Sequence, residues 1–205
     1  MARKKITLSK RQLELQLGKL SILETARLGL EQYPVSPEVA SELLYMAYFE
    51  HEDLNGQIVD LGTGTGKLAI GAALMGAETV CGLDLDKESI ALAVRNAKGA
   101  DVNVDWVVGN LDSISGKFDT VVMNPPYGTR SPHQDIHFLT RAFQLAHVTY
   151  SIHKSSTRKF LVQFVRKSGR QVAQVRSMAM PIPHLFDFHK KRWESIQVDL
   201  YRITS

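Results

Sequence analysis

The sequence predicts an α/β fold: a doubly wound, mostly parallel, seven-stranded sheet with one antiparallel strand, preceded by an N-terminal helical extension. Three observations carry this. From residue 57 onward, short apolar runs alternate with amphipathic segments of helical period, the pattern of a parallel sheet covered on both faces. A glycine-rich turn, Asp60-Leu-Gly-Thr-Gly-Thr-Gly-Lys67, stands between the first such run and its helix. The last two strand-like runs follow one another with no helix between them, which suggests an antiparallel partner at the edge of the sheet.

The 205 residues are long enough for one domain with a sizeable core, read here as a single unit over 1–205. Residues 1–35 form the basic helical extension and 36–205 the α/β core. Apolar runs are short and interrupted by charge, so no membrane partner is expected. The basic N-terminus lacks an apolar signal-type segment. Its one cysteine, Cys81, forms no internal disulfide and offers no metal-ligand spacing; it lies in an apolar run and reads as core. A soluble, cytoplasmic protein follows. Net charge is only +4 but unevenly spread. Residues 1–35 carry seven basic and three acidic groups, 36–150 seven and fifteen, and 151–205 eleven and three. Two basic ends around an acidic middle fit a surface that contacts phosphates at its rim.

In chain order, Leu13, Leu17 and Leu20 at helical spacing predict an amphipathic helix within 3–20, with Lys10, Arg11 and Lys19 on its other face. Ser36 caps the next helix, with Pro37 at its first position and Glu38 beside the dipole. That helix buries Val39, Leu43, Leu44 and Met46 or Ala47 and ends near Phe49. Strands are predicted at 58–61, 79–83, 102–108, 118–123 and 148–152. Helices are predicted at 68–75, 88–98, 135–147 and 156–167, where Ser155 and Ser156 read as a cap. Strands at 172–180 and 196–203 close the chain, joined by a loop holding His189-Lys-Lys-Arg192.

The turn after the first strand excludes two familiar phosphate-binding patterns. A P-loop needs a glycine where Leu61 stands and Ser or Thr where Leu68 stands. The dinucleotide fingerprint starting at Gly62 would need glycine at Lys67. What remains, Asp-x-Gly-x-Gly-x-Gly from Asp60 through Gly62 and Gly64, is similar to the first motif of S-adenosylmethionine-dependent methyltransferases. Asp84, at the end of the second strand, is placed to accept hydrogen bonds from ribose hydroxyls. Asn110, after the third strand, is placed to reach the adenine amine of the cofactor.

Asn124-Pro125-Pro126-Tyr127 ends the fourth strand. Two prolines stop the strand and donate no N–H. Within four residues the turn offers an amide oxygen, an unpaired carbonyl and an aromatic face. That set suits a planar amine, held by both N–H groups while its ring lies on the tyrosine. Motifs of this kind are shared by adenine-N6, guanine-N2 and protein-glutamine N5 methyltransferases.

Leu30-Glu-Gln-Tyr-Pro34, His153-Lys-Ser-Ser-Thr-Arg158, Phe188-His-Lys-Lys-Arg192 and Val198-Asp-Leu200 narrow that choice. With Asn124 to Arg130, they resemble the methyltransferase-like 5 family over about residues 28–203. The resemblance implies a Rossmann-like class I methyltransferase fold and adenine-N6 methylation of small-subunit ribosomal RNA. It implies cofactor contacts from Gln32, the Val35-Ser36 turn, Gly62, Thr65, Lys67 and Asp84, with Asn110 and Leu111 closing over the adenine. Asn124 to Tyr127 would be the catalytic turn. The family often has an acid at the position of Asn110 and Phe at that of Tyr127. Its eukaryotic members act with a small zinc-binding activator subunit.

Arg130, Lys154, Arg158, Lys190, Lys191 and Arg192 are the candidate RNA-binding residues, each adding salt-sensitive, sequence-neutral affinity. His153 follows the fifth strand and falls on the ligand-bearing edge. His133 and His137 lack a third ligand in the sequence, so no metal is expected. The rivals to RNA adenine methylation are glutamine N5 or guanine-N2 methylation, and a non-catalytic RNA-binding assembly factor.

Overall fold

The computed structural model of the chain describes residues 8–23, 34–126, 134–182 and 194–205. Its strands are β1 (Gln57–Leu61), β2 (Thr79–Asp84), β3 (Asp105–Val108), β4 (Phe118–Met123), β5 (Ala146–Lys154), β6 (Gln171–Ile182) and β7 (Glu194–Thr204). Its helices are α1 (Lys10–Gly18), α2 (Pro37–Tyr45), α3 (Lys67–Leu74), α4 (Lys87–Gly99), α5 (Gln134–Leu145) and α6 (Arg158–Lys167). The strands form one seven-stranded sheet in the order β3-β2-β1-β4-β5-β7-β6. The first five run parallel, and β7 is antiparallel to both of its neighbours.

Helices cover both faces, as a sheet with apolar side chains on each side requires. One core joins Ile58, Val80, Val122, Tyr150, Val198 and Leu200 to the buried faces of α1, α2 and α3. The other joins Val59, Leu61, Val121, Met123, Tyr201 and Ile203 to α5 and α6. Alternate residues of β1, β4 and β7 therefore serve opposite cores. Leu13 and Leu17 of α1 are fully buried in the first core, so the basic extension is packed into the fold. A capping box between Ser9 and Gln12 starts α1, and Lys10 pairs with Glu42 of α2. Residues 3–7, which the sequence reading included in this helix, lie outside the described residues.

Five expectations need correction. The antiparallel strand is not at the edge: β7 lies between β5 and β6. With a strand on each side of it, β7 buries Val198, Leu200, Tyr201 and Ile203, whereas among the described side chains of β6 Met180 alone is buried. The third strand begins at Asp105, not Val102. The Val102 amide instead donates to the Ala97 carbonyl at 3.1 Å, closing the end of α4. Helix α5 stops at Leu145 because Ala146 already pairs with Phe118. Ser155 and Ser156 do not cap α6, whose N-cap is Thr157; the Ser155 hydroxyl donates to Asp199 at 2.7 Å. Cys81, read as core, is half-buried, and burial pushes its thiol up to about 11.

Candidate active site

Strand register assembles the site. Leu61 of β1 pairs with Leu83 of β2 and with Met123 of β4, and Met123 pairs with Ser151 of β5. These chains are therefore at one level when they leave the sheet, at its carboxyl edge. The glycine turn after Leu61, Asp84 after Leu83 and Asn124 after Met123 emerge side by side, where open α/β sheets hold ligands.

Within the glycine turn the backbone is bonded from both sides. The Gly62 and Thr63 amides each donate to the Leu83 carbonyl at 2.9 Å, fixing the turn on β2. The Gly64 amide donates to Asp84 Oδ2 at 2.7 Å, and the Asp86 amide to Asp84 Oδ1 at 2.9 Å. Burial raises the pKa of Asp84, against these two bonds. Gly66 has φ 89° and is the N-cap of α3. A Cβ there would lie 2.7 Å from the Trp106 ring, so the turn needs glycine on both counts. Gly64, at φ 55°, has open space where its Cβ would be.

Asp60, near the end of β1, is the buried anchor of this turn. Its Oδ2 accepts from the Thr63 hydroxyl at 2.6 Å and from the Ala69 amide at 3.0 Å. Its Oδ1 is buried without a partner among the described residues. Burial, with the nearby charge of Asp84, pushes the carboxyl up to about 7, against the Thr63 and Ala69 bonds. The unpaired Asp60 acceptor, the open space at the Gly64 Cβ position and the Asp84 carboxylate bonded to the Gly64 amide are compatible with a polar ligand at this turn.

Lys67 opens α3 and is buried, with its Nζ donating to the Val35 carbonyl at 2.7 Å. Burial lowers its pKa to about 8, with Glu38 opposing. This bond fixes the Val35-Ser36 turn to the glycine loop. The Ser36 hydroxyl itself caps α2, accepting from the Val39 amide at 3.3 Å. The Asn110 side-chain oxygen accepts from the Asp112 amide and the Ser113 hydroxyl, both at 3.1 Å. The oxygen that the sequence assigned to an adenine amine is thus already twice bonded. Leu111, next to it, is buried in the second core.

Pro125 is buried, and Asn124 and Pro126 are half-buried. Gln32, Tyr127, Arg130, Lys190, Lys191 and Arg192 lie outside the described residues. Lys154 ends β5 on the ligand edge, and Arg158 opens α6 just beyond it. The Arg158 guanidinium is held by Asp199, with Nε to Oδ2 and Nη2 to Oδ1 both at 2.6 Å. Burial works to raise the Asp199 pKa, but Arg158, Ser155, Ser177 and Tyr201 together hold it down to about 2. His153 is buried, its Nε2 lies 2.6 Å from the Ser151 hydroxyl, and burial lowers its pKa to about 3, with Asp199 opposing. It is packed inside the fold, edge-on to the Tyr201 ring, rather than exposed on the ligand edge.

The sequence reading missed Asn96. This buried side chain of α4 donates to the Thr65 carbonyl and to the Ser21 carbonyl, each at 3.0 Å. A polar residue on the apolar stripe of Ile90, Ala93 and Ala97 is the signal that marks it. Among the described residues, no group of three or more His, Cys, Asp or Glu side chains could hold a metal ion. No described helix is long and apolar enough to cross a membrane.

A parallel sheet closed by an inserted antiparallel strand, with an acid-anchored glycine turn and an acid at the end of β2, defines a class I methyltransferase. The family model described as "Methyltransferase small domain" matches residues 36–148. The chain is 35% identical over 202 residues to the rRNA N(6)-adenosine-methyltransferase METTL5 of Danio rerio, covering 95% of this chain and 98% of that protein. A solved structure from Pyrococcus horikoshii, described as a candidate RNA methyltransferase, has TM-score 0.89 and 35% identity, covering 98% of this chain and 99% of that one. By contrast, the release factor glutamine methyltransferase of Lactococcus lactis is 38% identical over 88 residues, only 42% of this chain and 33% of that protein. The chain belongs to the small methyltransferase domain family and, within it, to the methyltransferase-like 5 group, with S-adenosylmethionine as its cofactor.

Proposed function

We propose that this enzyme methylates the N6 amine of an unpaired or flipped adenine in structured RNA, and that its substrate is small-subunit ribosomal RNA. The observation that carries the reading is the register of β1 with β4, which sets the Asn124-Pro125-Pro126 turn beside the glycine loop. The METTL5 relative, matched over nearly its whole length, supports the choice of base and of RNA.

S-adenosylmethionine, when bound, supplies a methyl group already on an excellent leaving group. Asp60, the Gly62 to Gly64 backbone, Thr65, Lys67 and Asp84 would hold it, with Gln32, Ser36, Asn110 and Leu111 around it. The protein's remaining task is alignment and exclusion of water. The Asn124 side-chain oxygen and the Pro125 carbonyl would accept hydrogen bonds from the adenine amine. That draws its lone pair out of ring conjugation and stabilises the charge that develops on nitrogen. Pro126 fixes the turn, and Tyr127 holds the base by stacking. No general base is required at this turn. Arg130, Lys154, Lys190, Lys191 and Arg192 would bind phosphates; Arg158 would share its charge with Asp199.

The enzyme would act in the cytoplasm, where a small zinc-binding activator subunit would cover exposed Leu85, Val94 and Val108 on the flank formed by β2, α4 and β3. The test is tritium transfer from labelled S-adenosylmethionine to small-subunit RNA by wild type and Asn124→Ala, followed by digestion to nucleosides. Label in N6-methyladenosine that is lost in Asn124→Ala supports the reading. Label in protein, or in N2-methylguanosine, replaces the substrate while keeping the fold and cofactor. Cofactor and RNA binding without transfer, with a zinc-binding activator supplied, points to an assembly factor.

A further inference from the structure

Helix α6 presents a face on which no other described element packs. Leu161 and Val165 are buried beneath it, and Phe164 packs against Phe143 with ring centroids 6.4 Å apart. On the opposite side Lys159, Gln163 and Arg166 form one ridge at spacings of four and three residues. Phe160 and Lys167 flank that ridge on one side, and Val162 on the other. Phe160 is 49% exposed and Val162 38%, which is unusual for large apolar side chains set among cations.

The charge on this stretch is of one sign. From Lys154 to Arg170 the chain carries six basic residues and no acidic one. Two of the six have been taken into the fold. Arg158 is held by Asp199, and Arg170 donates to the carbonyls of Ala146 and His147 at 3.3 Å while its guanidinium lies 5.2 Å from the Phe143 ring centroid. Lys159, Arg166 and Lys167 make no ion pair among the described residues. The structure thus separates the arginines that hold α6 in place from a cationic face that remains on the surface.

We propose that this face of α6 is an RNA-binding surface, with Lys159, Arg166 and Lys167 on phosphates and Phe160 under an unpaired base. The proposal rests on RNA being the substrate. Charge complementarity selects the occupant: three cations spread along a helix of about 15 Å match a polyanion. An exposed aromatic among them matches a base with a free π-face, as in single-stranded RNA recognition. Position agrees as well. Three residues separate the end of β5 at Lys154 from the start of α6 at Arg158, so α6 begins on the edge where the Asn124 turn emerges, and one RNA strand would reach both.

Binding of a small-subunit rRNA transcript tests this, measured against salt concentration for three proteins. These are wild type, the triple variant Lys159→Gln/Arg166→Gln/Lys167→Gln, and Phe160→Ala. All four positions are exposed, so thermal midpoint and cofactor affinity should hold. The triple variant should bind at least about tenfold more weakly near 0.15 M salt. Its plot of log affinity against log salt should be less steep by about two, at roughly 0.7 for each lost phosphate contact to a single strand. Phe160→Ala should lose about tenfold with the slope unchanged. Unchanged affinity and slope overturn the proposal, including the case where only attachment to the assembled subunit weakens, which would indicate a protein partner. Failure of the parent reading looks different: wild type would bind the transcript yet place no label in N6-methyladenosine, and the slope comparison would still decide the role of α6.

Discussion

Asn96 and Ser21 exchange two hydrogen bonds: the Ser21 amide donates to Asn96 Oδ1, and Asn96 Nδ2 donates to the Ser21 carbonyl, both at 3.0 Å. The same Nδ2 also donates to the Thr65 carbonyl at 3.0 Å. One buried amide therefore ties the segment after α1 to the glycine loop. Asn96→Ala leaves these backbone groups without their partner, at a cost of about 1–3 kcal/mol. Cofactor affinity should weaken about tenfold, and the thermal midpoint should fall. Asn96→Asp should be worse than Ala, because the carboxylate oxygen that replaces Nδ2 faces the Ser21 and Thr65 carbonyls. Calorimetric titration with S-adenosylmethionine reads the difference; equal affinities for all three proteins would reduce the contact to a packing detail.

Two glycines of the loop should fail in different ways. Gly66→Ala puts a methyl group against Trp106, Ala93 and Ile70 at φ 89°. It should lower the thermal midpoint strongly, since backbone strain and overpacking add. Gly64→Ala meets open space at φ 55°, so it should cost only about 1 kcal/mol of stability. Its methyl group instead occupies the space proposed for the cofactor, and affinity should fall at least tenfold. Scanning calorimetry with and without S-adenosylmethionine separates the two. A Gly64→Ala protein with normal cofactor affinity would remove the loop from the proposed site.

Much of this arrangement was legible in the sequence, because strands with two buried faces and a glycine turn are local patterns. β1, β2, β4 and their following turns need only neighbours in sequence to be recognised. The position of β7 was not legible, since which of the last two strands pairs with β5 is a long-range choice that their local patterns do not distinguish. Arg158 illustrates the same limit. Its spacing suggests a phosphate contact, but Asp199, forty-one residues away in sequence, holds it in a pair that no local pattern predicts. Asp60 was legible as the first residue of the glycine motif, but its anchoring bonds, orphaned oxygen and raised pKa depend on the folded turn and burial by the whole sheet.

Asp60 taken by itself favours the folded, ligand-free protein in acid. Its pKa is about 7 when folded, against 3.8 for the free side chain, so between these values the folded state binds more protons than the unfolded one. Stability should therefore fall as pH rises from about 4 to 7, by at most about 1.4 kcal/mol per unit. Asp60→Asn removes this slope. Urea unfolding from pH 4.5 to 8 checks it: the stability of wild type relative to the variant should decline with rising pH. A constant difference would mean that Asp60 ionises normally.

His153 should produce the opposite slope over much of the same range. Its pKa is about 3 when folded and 6.5 when free, so the unfolded chain binds the extra proton between those values. Its contribution is fully present above pH 6.5 and is lost as pH falls toward 3, again by at most about 1.4 kcal/mol per unit. From about pH 4 to 6.5 the two groups offset one another, and their joint contribution to the wild-type slope should be nearly zero. His153→Gln keeps a hydrogen-bonding group near Ser151 but cannot titrate, so it should expose the Asp60 slope and make the protein more stable at pH 4.5 than at pH 6.5. Asp60→Asn should do the reverse, and the double variant should restore the wild-type pH dependence. Urea midpoints at these two pH values for all four proteins are sufficient. Parallel pH profiles in the four would show that neither group titrates as its burial requires.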